Sequence, residues 1–555
     1  MFNFKRIGMK IRTAFYLTVL LFCSCKKDFL QKDTGVEISN NDVFSSQLYT
    51  TSFANNSYNF LIDDFAYFTS GNTGNTSELT DESIDSQNLL AVQLINQGAM
   101  LNPNAGDMSA VYSRLYRGIY NVNTFFSNCT RTKWSSINTL NLIRGEQYFL
   151  RAFMYFELWK RWGDVILLDH PLGLNENQDL PRSPRDSVQA FIQRDIDSAM
   201  TLLPLVRTTN DYGRATKCAA LALDSRMLLY AASPRFNTNN DVSLWQRAVD
   251  TTKSLISLNV SNNLFTLEPN YANILTTSAS KEYVLIKVRP PRSFSNGTFL
   301  WNFIVGGNAG AIGTFNPTEN HAEMYQMSNG LPITDKRSGY DSANPYVKRD
   351  PRFYSNLIFN GMTWQNKTVK MWDASTGTDY NSANYWYTRT RYYCRKLWPE
   401  VYKQGSSGTS LLNFVFFRWG EILLNYAEAL NEVAGNSTTV VSTMNQIRTR
   451  AGMPAVSSRA TQDSMRILIH NERAVELAFE EHRWWDILRW KQGPQIVAQP
   501  MKAMNISNQS PPYGYSVVVL PDRYQKVFNE NMYWYPIPLS EIQKSSGILK
   551  QTAGW

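Results

Sequence analysis

Few residues in this chain are spaced for catalysis. No HExxH, GxSxG or phosphate-binding P-loop motif occurs, so the usual arrangements for metal-assisted hydrolysis, acyl transfer and nucleotide binding are missing. Gly307, Gly310 and Gly313 in GGNAGAIG look like a phosphate loop only in outline, because no Lys-Ser/Thr follows; the segment reads as an ordinary loop. His170, His321, His470 and His482 are too dispersed for a metal set. Cys129, Cys218 and Cys394 have no ligand spacing and leave room for one disulfide at most. A glycosidase would need two carboxylates facing each other about 5–10 Å apart. Glu480 and Glu481 are neighbours on a predicted helix and point apart. Glu472, Arg473, Glu476 and Arg483 read as a charge network that locks helix packing, with His482 a structural histidine beside it. The acidic run TDESID (Thr80–Asp85) does not match the spacing of an EF-hand calcium loop and reads as a solvated loop. No catalytic residue, metal or cofactor is expected.

The remaining candidates are aromatic. The run NYWYTRTRYY gathers Tyr385, Trp386, Tyr387, Arg389, Tyr392 and Tyr393 in a polar, loop-rich stretch. No helix there needs five large rings for packing. Flat rings stack on the apolar C–H faces of sugars while polar neighbours bond the hydroxyls. Trp386 or Tyr385 is therefore expected to stack on a ligand, with Tyr387 nearby and Arg389 bonding its hydroxyls or a carboxylate. Trp301, Trp364 and Trp372 lie in the same region and are further candidates. Trp159, Trp162, Trp484 and Trp485 fall on helical patterns and are assigned to packing.

Cys25 is the one residue with a clear covalent role. Lys5, Arg6, Lys10 and Arg12 form a basic start, Ala14 to Phe22 is an apolar run, and Ser24 stands before Cys25. The apolar run is too short for a span, which needs roughly 20 residues, and suits a signal peptide. The order basic, apolar, small, Cys is that of a bacterial lipoprotein signal, with lipid on Cys25. Phe22 and Cys23 make the box degenerate. Removing residues 1–24 takes away four basic residues and no acidic one, so the net charge falls from +9 to +5. That mild excess does not suit nucleic acid, which requires a clustered basic face. Aromatic residues make up 13% and charged residues 18%, which fits either a large core or a carbohydrate- or peptide-facing surface.

The elements that must hold these residues are mainly helices. After a polar tether over 25–40, a helical part runs over 41–264. Val111 to Cys129 is one helix. In LNLIRGEQYFLRAFMYFELWKRWG two apolar stripes occur, Leu150/Phe153/Met154/Leu158 and Tyr148/Ala152/Tyr155/Trp159/Trp162. A helix with two stripes is buried between neighbours. The next begins with Ser183 as cap, Pro184 at the first helical position and Asp186 completing a capping box. Arg214–Ala232 and Trp245–Leu258 follow. Residues 265–410 are irregular and aromatic, with one strand in KEYVLIKV. They read as an α+β ligand-binding subdomain, because loops on a rigid scaffold carry function. A C-terminal helical part over 411–555 packs on the scaffold. RWGEILLNYAEALNEVAG and the next helix form a hairpin of tetratricopeptide size. A long helix then runs from about Thr461 to Trp490. Little regular structure is predicted after it until MYWYPIPLSEI.

In this order these segments resemble the SusD/RagB family of outer-membrane nutrient-binding lipoproteins, over nearly the whole mature chain. The resemblance rests on CKKDFL, RGEQYFLRAFMYFELWKRWGDVILL, GRATKCAALALDSRMLLYAA, PTENHAEMYQMSNGLPI, NPYVKRDPRFYSNLIFNG, RWGEILLNYAEALNEVAG with NQIRTRAGMP, NERAVELAFEEHRWWDILRW and YPIPLSEI. The chain departs from the pattern at Ser546-Gly547 and in its QTAGW ending. The resemblance implies a mostly α fold, a stack of tetratricopeptide-like helix pairs with an irregular loop-rich α+β subdomain. It implies a lipid-anchored protein exposed at the surface of the outer membrane. It also implies non-catalytic capture of oligosaccharide and delivery to a TonB-dependent barrel transporter of the SusC type. The alternatives are the same role with an oligopeptide, as in RagB-type members, and a lipid-anchored surface glycoside hydrolase.

Overall fold

The computed structural model describes residues 40–555 apart from 63–74, 88, 107, 174, 209–210, 289, 294–312, 375–376 and 399–408. The leader, Cys25, most of the tether, Trp301, Gly307 and Gly310 lie outside the described residues. The chain is mostly helical, and its long helices pack in sequence. The first, α1 (Gln47–Asn55), is capped by Ser46, whose hydroxyl accepts from the Tyr49 N–H. Next come α2 (Met108–Asn128) and α3 (Ile137–Trp162). Every residue from Phe149 to Trp162 on α3 is buried, as two apolar stripes require. Gly118 lets α2 approach: a Cβ there would sit 2.4 Å from Met154 Sδ and 2.6 Å from Phe60 Cβ.

Three further helices extend the stack, α4 (Arg185–Leu202), α5 (Lys217–Ala232) and α6 (Val242–Asn262). All of α5 except Lys217 is buried, and its five alanines keep it thin enough for close neighbours. The capping box expected before α4 does not form. Ser183 pairs with Val165 through a 2.8 Å backbone bond, Pro184 takes the cap position, and Asp164 Oδ1 accepts from the Arg185 N–H at 2.9 Å. A carboxylate brought in by the preceding loop replaces the local hydroxyl.

The chain then leaves the helices and returns with α7 (Trp419–Ala434), α8 (Thr438–Arg450), α9 (Gln462–Glu476) and α10 (Arg483–Arg489). Each of α2 to α6 packs on the next; α7 closes on α6 and carries α8 and α9. This is the stack of helix pairs expected from the apolar spacing. Gly435 (φ 64°) makes the turn between α7 and α8, where a side chain would be strained.

Two expectations about the C-terminal part change. The single long helix to Trp490 is broken between Glu476 and Arg483, with Phe479 (φ 61°) and Glu481 (φ 65°) in the left-handed region. Regular structure also follows the break, as two strands that form a hairpin within 502–519. The sheets are short and two-stranded. β1 (Ser83–Asp85) pairs antiparallel with β3 (Phe315–Pro317), with Ile84 opposite Asn316. β2 (Tyr283–Lys287) pairs with β4 (Phe414–Arg418), and β5 (Lys502–Ile506) with β6 (Tyr515–Val519). One large apolar core joins the helices to the irregular subdomain, and it includes Phe353, Leu397 and Trp398 from the latter.

Candidate functional site

The acidic run read as a solvated loop is buried throughout. Residues 75–85 are at most 5% exposed. Asn75 starts a single turn: its side chain accepts from the Glu78 N–H at 3.3 Å, and Glu78 Oε2 accepts from the Asn75 N–H at 3.0 Å. Arg483 grips Asp81 with two bonds of 2.9 and 2.8 Å. Lys526 Nζ donates to the carbonyls of Ser83 (2.8 Å) and Thr80. The Phe479 N–H donates to Glu82 Oε1 at 3.3 Å, and Thr76 Oγ1 donates to Glu481. Two cations reach this strap, fewer than its carboxyl groups. Burial therefore dominates and pushes Glu82 up to about 7, Asp85 to about 6 and Glu481 to about 8.

The strap leads into the aromatic loop. β1 is held on β3, and at its end Ser86 N–H donates to Thr314 O at 2.9 Å. Ser86 Oγ donates to Tyr385 O at 2.7 Å, and the Gly313 N–H donates to Trp386 O at 2.9 Å. Asn384 braces the same turn, its Oδ1 accepting from the Trp386 N–H at 3.0 Å. Asn316 Oδ1 accepts from the Arg389 N–H at 2.8 Å. The backbone of 384–389 is thus fixed at several points, yet its rings are left outward. Tyr385 is 52% and Trp386 36% exposed, and their rings meet edge to face at 6.0 Å. Arg389 Nη1 bonds Ser382 O at 2.7 Å, while its Nε has no hydrogen-bond partner among the described residues. Tyr387 is half-buried beside them.

The other candidates separate. Tyr392 and Tyr393, grouped with the loop by their spacing, are core residues: Tyr392 Oη donates to Glu319 at 2.6 Å and Tyr393 Oη to Asp379 O at 2.9 Å. Trp364 is 7% exposed and edge-on to Trp398 at 5.7 Å, so it belongs to packing. Trp372 is half-buried and stacks on Tyr513 of the β5–β6 hairpin at 5.8 Å. Tyr513 is a partner that sequence spacing could not have supplied, 141 positions away.

The four residues read as one charge network are all in buried ion pairs but separate: Glu472 and Glu476 share Arg352, whereas Arg473 pairs with Asp486 and Arg483 with Asp81. Arg418 reaches Glu282 (2.7 Å), Glu476 (2.8 Å) and Glu480 (2.7 Å). Burial alone would raise the Glu476 carboxyl, but Arg450, Arg418 and Arg352 outweigh it and hold the group well below its ordinary range. Glu480 is held at about 2, burial being outweighed by Arg418 and Lys396. The break before α10 turns Glu480 to this network and Glu481 to Thr76, so no facing pair forms. Among the described residues no group of three or more His, Cys, Asp or Glu side chains could hold a metal ion, and no helix is long and apolar enough to cross a membrane.

This fold and its sequence blocks define the class. Residues 287–555 match the family model described as the SusD family, and residues 28–229 match one described as starch-binding associating with outer membrane. The chain belongs to the SusD/RagB family. SusD-like protein P2 of Formosa agariphila is 25% identical over 473 residues, covering 83% of each chain. A SusD-like protein from Bacteroides fragilis superposes with a TM-score of 0.77 at 25% identity, covering 93% of this chain and 99% of that one. A laminarin-binding SusD-like protein superposes with a TM-score of 0.65 at 18% identity, covering 92% and 100%. The family ties this chain to carbohydrate binding and to the outer membrane.

Proposed function

We propose that this chain is a non-catalytic, lipid-anchored surface protein of the outer membrane that captures oligosaccharide on the Tyr385–Trp386 face. It then hands the ligand to a TonB-dependent transporter of the SusC type. One observation carries the reading: two exposed rings stand on a loop whose backbone is pinned by Ser86, Gly313, Asn316 and Asn384. A preorganised platform loses little freedom on binding. Arg389 on the same loop carries guanidinium N–H donors for sugar hydroxyls or a carboxylate. The description of the N-terminal family model and the laminarin-binding neighbour support a glycan as ligand. Trp372, half-buried against Tyr513, and Trp301, outside the described residues, are the further candidates.

Titration of the purified chain with a panel of neutral and acidic oligosaccharides tests this reading. Saturable binding without turnover is expected, with Kd on the order of micromolar to millimolar. Turnover of any member would replace the reading with a hydrolase, and saturation by peptides alone would replace the ligand. The anchor and the partner are tested together. Cys25→Ala should leave the membrane fraction and lose fatty-acid label. A tagged wild-type chain in mild detergent should bring down a large barrel protein; recovery of the chain alone would count against a stable complex.

A further inference from the structure

The hairpin of β5 and β6 has one edge held and one edge open. Its bonded pairs are set at both ends, where the Leu520 N–H donates to Met501 O at 2.8 Å and the Ser507 N–H to Gly514 O at 2.9 Å. Antiparallel strands alternate bonded and non-bonded pairs. In the register from Lys502 opposite Val519 to Ile506 opposite Tyr515, the odd residues of β5 therefore face β6 and the even ones face away. The outward side of β5 is taken: the Lys502 N–H donates to Asn320 Oδ1 at 2.8 Å and the Met504 N–H to Thr390 O at 3.2 Å. On β6 the residues facing away are Tyr515, Val517 and Val519, and among the described residues nothing bonds their N–H or C=O groups. Natural edge strands are guarded by a charge, a proline or a bulge, and Tyr515–Val519 has none of these. The strand is also bare on both faces, with Val517 45%, Val518 41% and Val519 62% exposed.

We propose that this edge is an interaction surface for a second copy of the same chain, β6 pairing antiparallel with β6 of the other copy about a two-fold axis at Val517. The register closes on itself. Centred on Val517, that residue meets its own image, and Tyr515 meets Val519 of the other copy. Every residue in these three pairs is one that turns its N–H and C=O outward, so each pair can exchange two main-chain bonds. A shift by one residue would set outward residues against inward ones and lose those bonds. An aromatic ring opposite a β-branched side chain, as at Tyr515 and Val519, is a favoured cross-strand pair. The strand carries no charge, so pairing with itself meets no like-charge repulsion. Five-residue strands bury far less than the roughly 1,200 Å² of a stable interface, and the pairing is weak in solution. Anchoring two chains in one membrane, which rests on the Cys25 reading, raises their effective concentration.

The test is disulfide trapping of the purified mature chain carrying Cys25→Ala, in which Cys129, Cys218 and Cys394 are buried. Val517→Cys should link to its own image under mild oxidation, because the Cα atoms of a bonded pair lie about 5.5 Å apart, within the roughly 4.4–6.8 Å of a disulfide. Ser516→Cys and Val518→Cys, also exposed, should each link to themselves at least about tenfold more slowly. Like residues are there displaced by two positions, about 7 Å along the strand before the gap between strands is added. A mixture of those two variants should link rapidly, because Ser516 lies opposite Val518 of the other copy. Adding Val517→Pro to both should slow the mixed link about tenfold with little change in melting temperature, since the Val517 N–H takes no part in the hairpin. The proposal is overturned if Val517→Cys stays monomeric, or if Ser516→Cys alone links as fast, which would be random collision. Shielding of the Val517→Cys thiol from maleimide by a barrel protein, and not by concentrating the chain, would also overturn it and give the edge to the transporter. None of these outcomes bears on glycan capture, which is read by titration and by Trp386→Ala.

Discussion

Ser86 Oγ donates a 2.7 Å hydrogen bond to the carbonyl of Tyr385, joining the buried acidic strap to the exposed aromatic loop across 299 positions of sequence. The bond is part of how an irregular loop keeps two rings outward. Its removal should affect the loop more than the fold. A typical internal hydrogen bond contributes about 0.5–1.5 kcal/mol. Ser86→Ala should therefore lower the melting temperature by only a few degrees, speed amide exchange at 385–387, and weaken glycan binding severalfold. Unchanged exchange at those amides would show that Gly313 and Asn384 hold the loop alone.

Two tryptophans separate binding from packing. Trp386 is 36% exposed and Trp364 7%. Trp386→Ala should weaken glycan binding about tenfold, equal to roughly 1.4 kcal/mol, with little change in melting temperature. Trp364→Ala should cost about 3–5 kcal/mol of stability and leave the affinity of the folded fraction nearly intact. The opposite pattern, measured by titration and urea unfolding, would move the ligand face away from Trp386.

Arg418 tests the charge network. It is 1% exposed and faces Glu282, Glu476 and Glu480. Removing one partner from a buried ionic cluster typically costs about 3–5 kcal/mol, because the remaining charges stay buried. Arg418→Ala should unfold in urea at a markedly lower midpoint. An unchanged midpoint would mean that Arg450, Arg352 and Lys396 suffice to neutralise the three carboxylates.

The helical stack was legible because its signal is local and periodic. The apolar positions of α3 recur on two stripes, and the helix is buried on all sides from Phe149 onward. The break before α10 was not legible. LAFEEH contains neither Gly nor Pro, and the turn is instead held by distant groups: the Phe479 N–H bonds Glu82, and Arg418 and Lys396 pull on Glu480. The strap misled for the same reason. TDESID is polar enough for solvent, and its counter-charges, Arg483 and Lys526, lie some 400 positions downstream. In NYWYTRTRYY composition marked the right segment but could not sort it. Tyr385 and Tyr393 have like neighbours in sequence, but the Tyr393 hydroxyl is taken up by Asp379 and Thr388 in the core, while Ser86 holds Tyr385 through its backbone and leaves its ring outward.

The last prediction concerns pH and Glu481. Its carboxyl lies 8% exposed at the break before α10, and burial, with Glu82 nearby, raises it to about 8 against an ordinary 4.5, with the Thr76 hydroxyl opposing the rise. The folded chain therefore keeps a proton on Glu481 that the unfolded chain releases above about 4.5. Over that window the unfolded state binds fewer protons, so this group's contribution to stability is intact below pH 4.5 and is lost as pH rises to about 8. Other groups titrate over the same range: Lys160 and Lys526 are lowered to about 7 by burial, and His482 to about 4. The effects of groups remote from Glu481 cancel when wild type is compared with a variant that differs only at this carboxyl, whereas Glu82 and Lys160, which act on it directly, move the pH at which the difference grows. Glu481→Gln mimics the protonated form. Its melting temperature should lie close to that of wild type near pH 5 and rise above it progressively toward pH 8, with the difference flat beyond. A difference that stays constant with pH would show that Glu481 is ionised in the fold, balanced by a cation such as Lys160. A difference that reverses sign, with the variant less stable at high pH, would mean that the carboxylate itself holds the strap through Thr76.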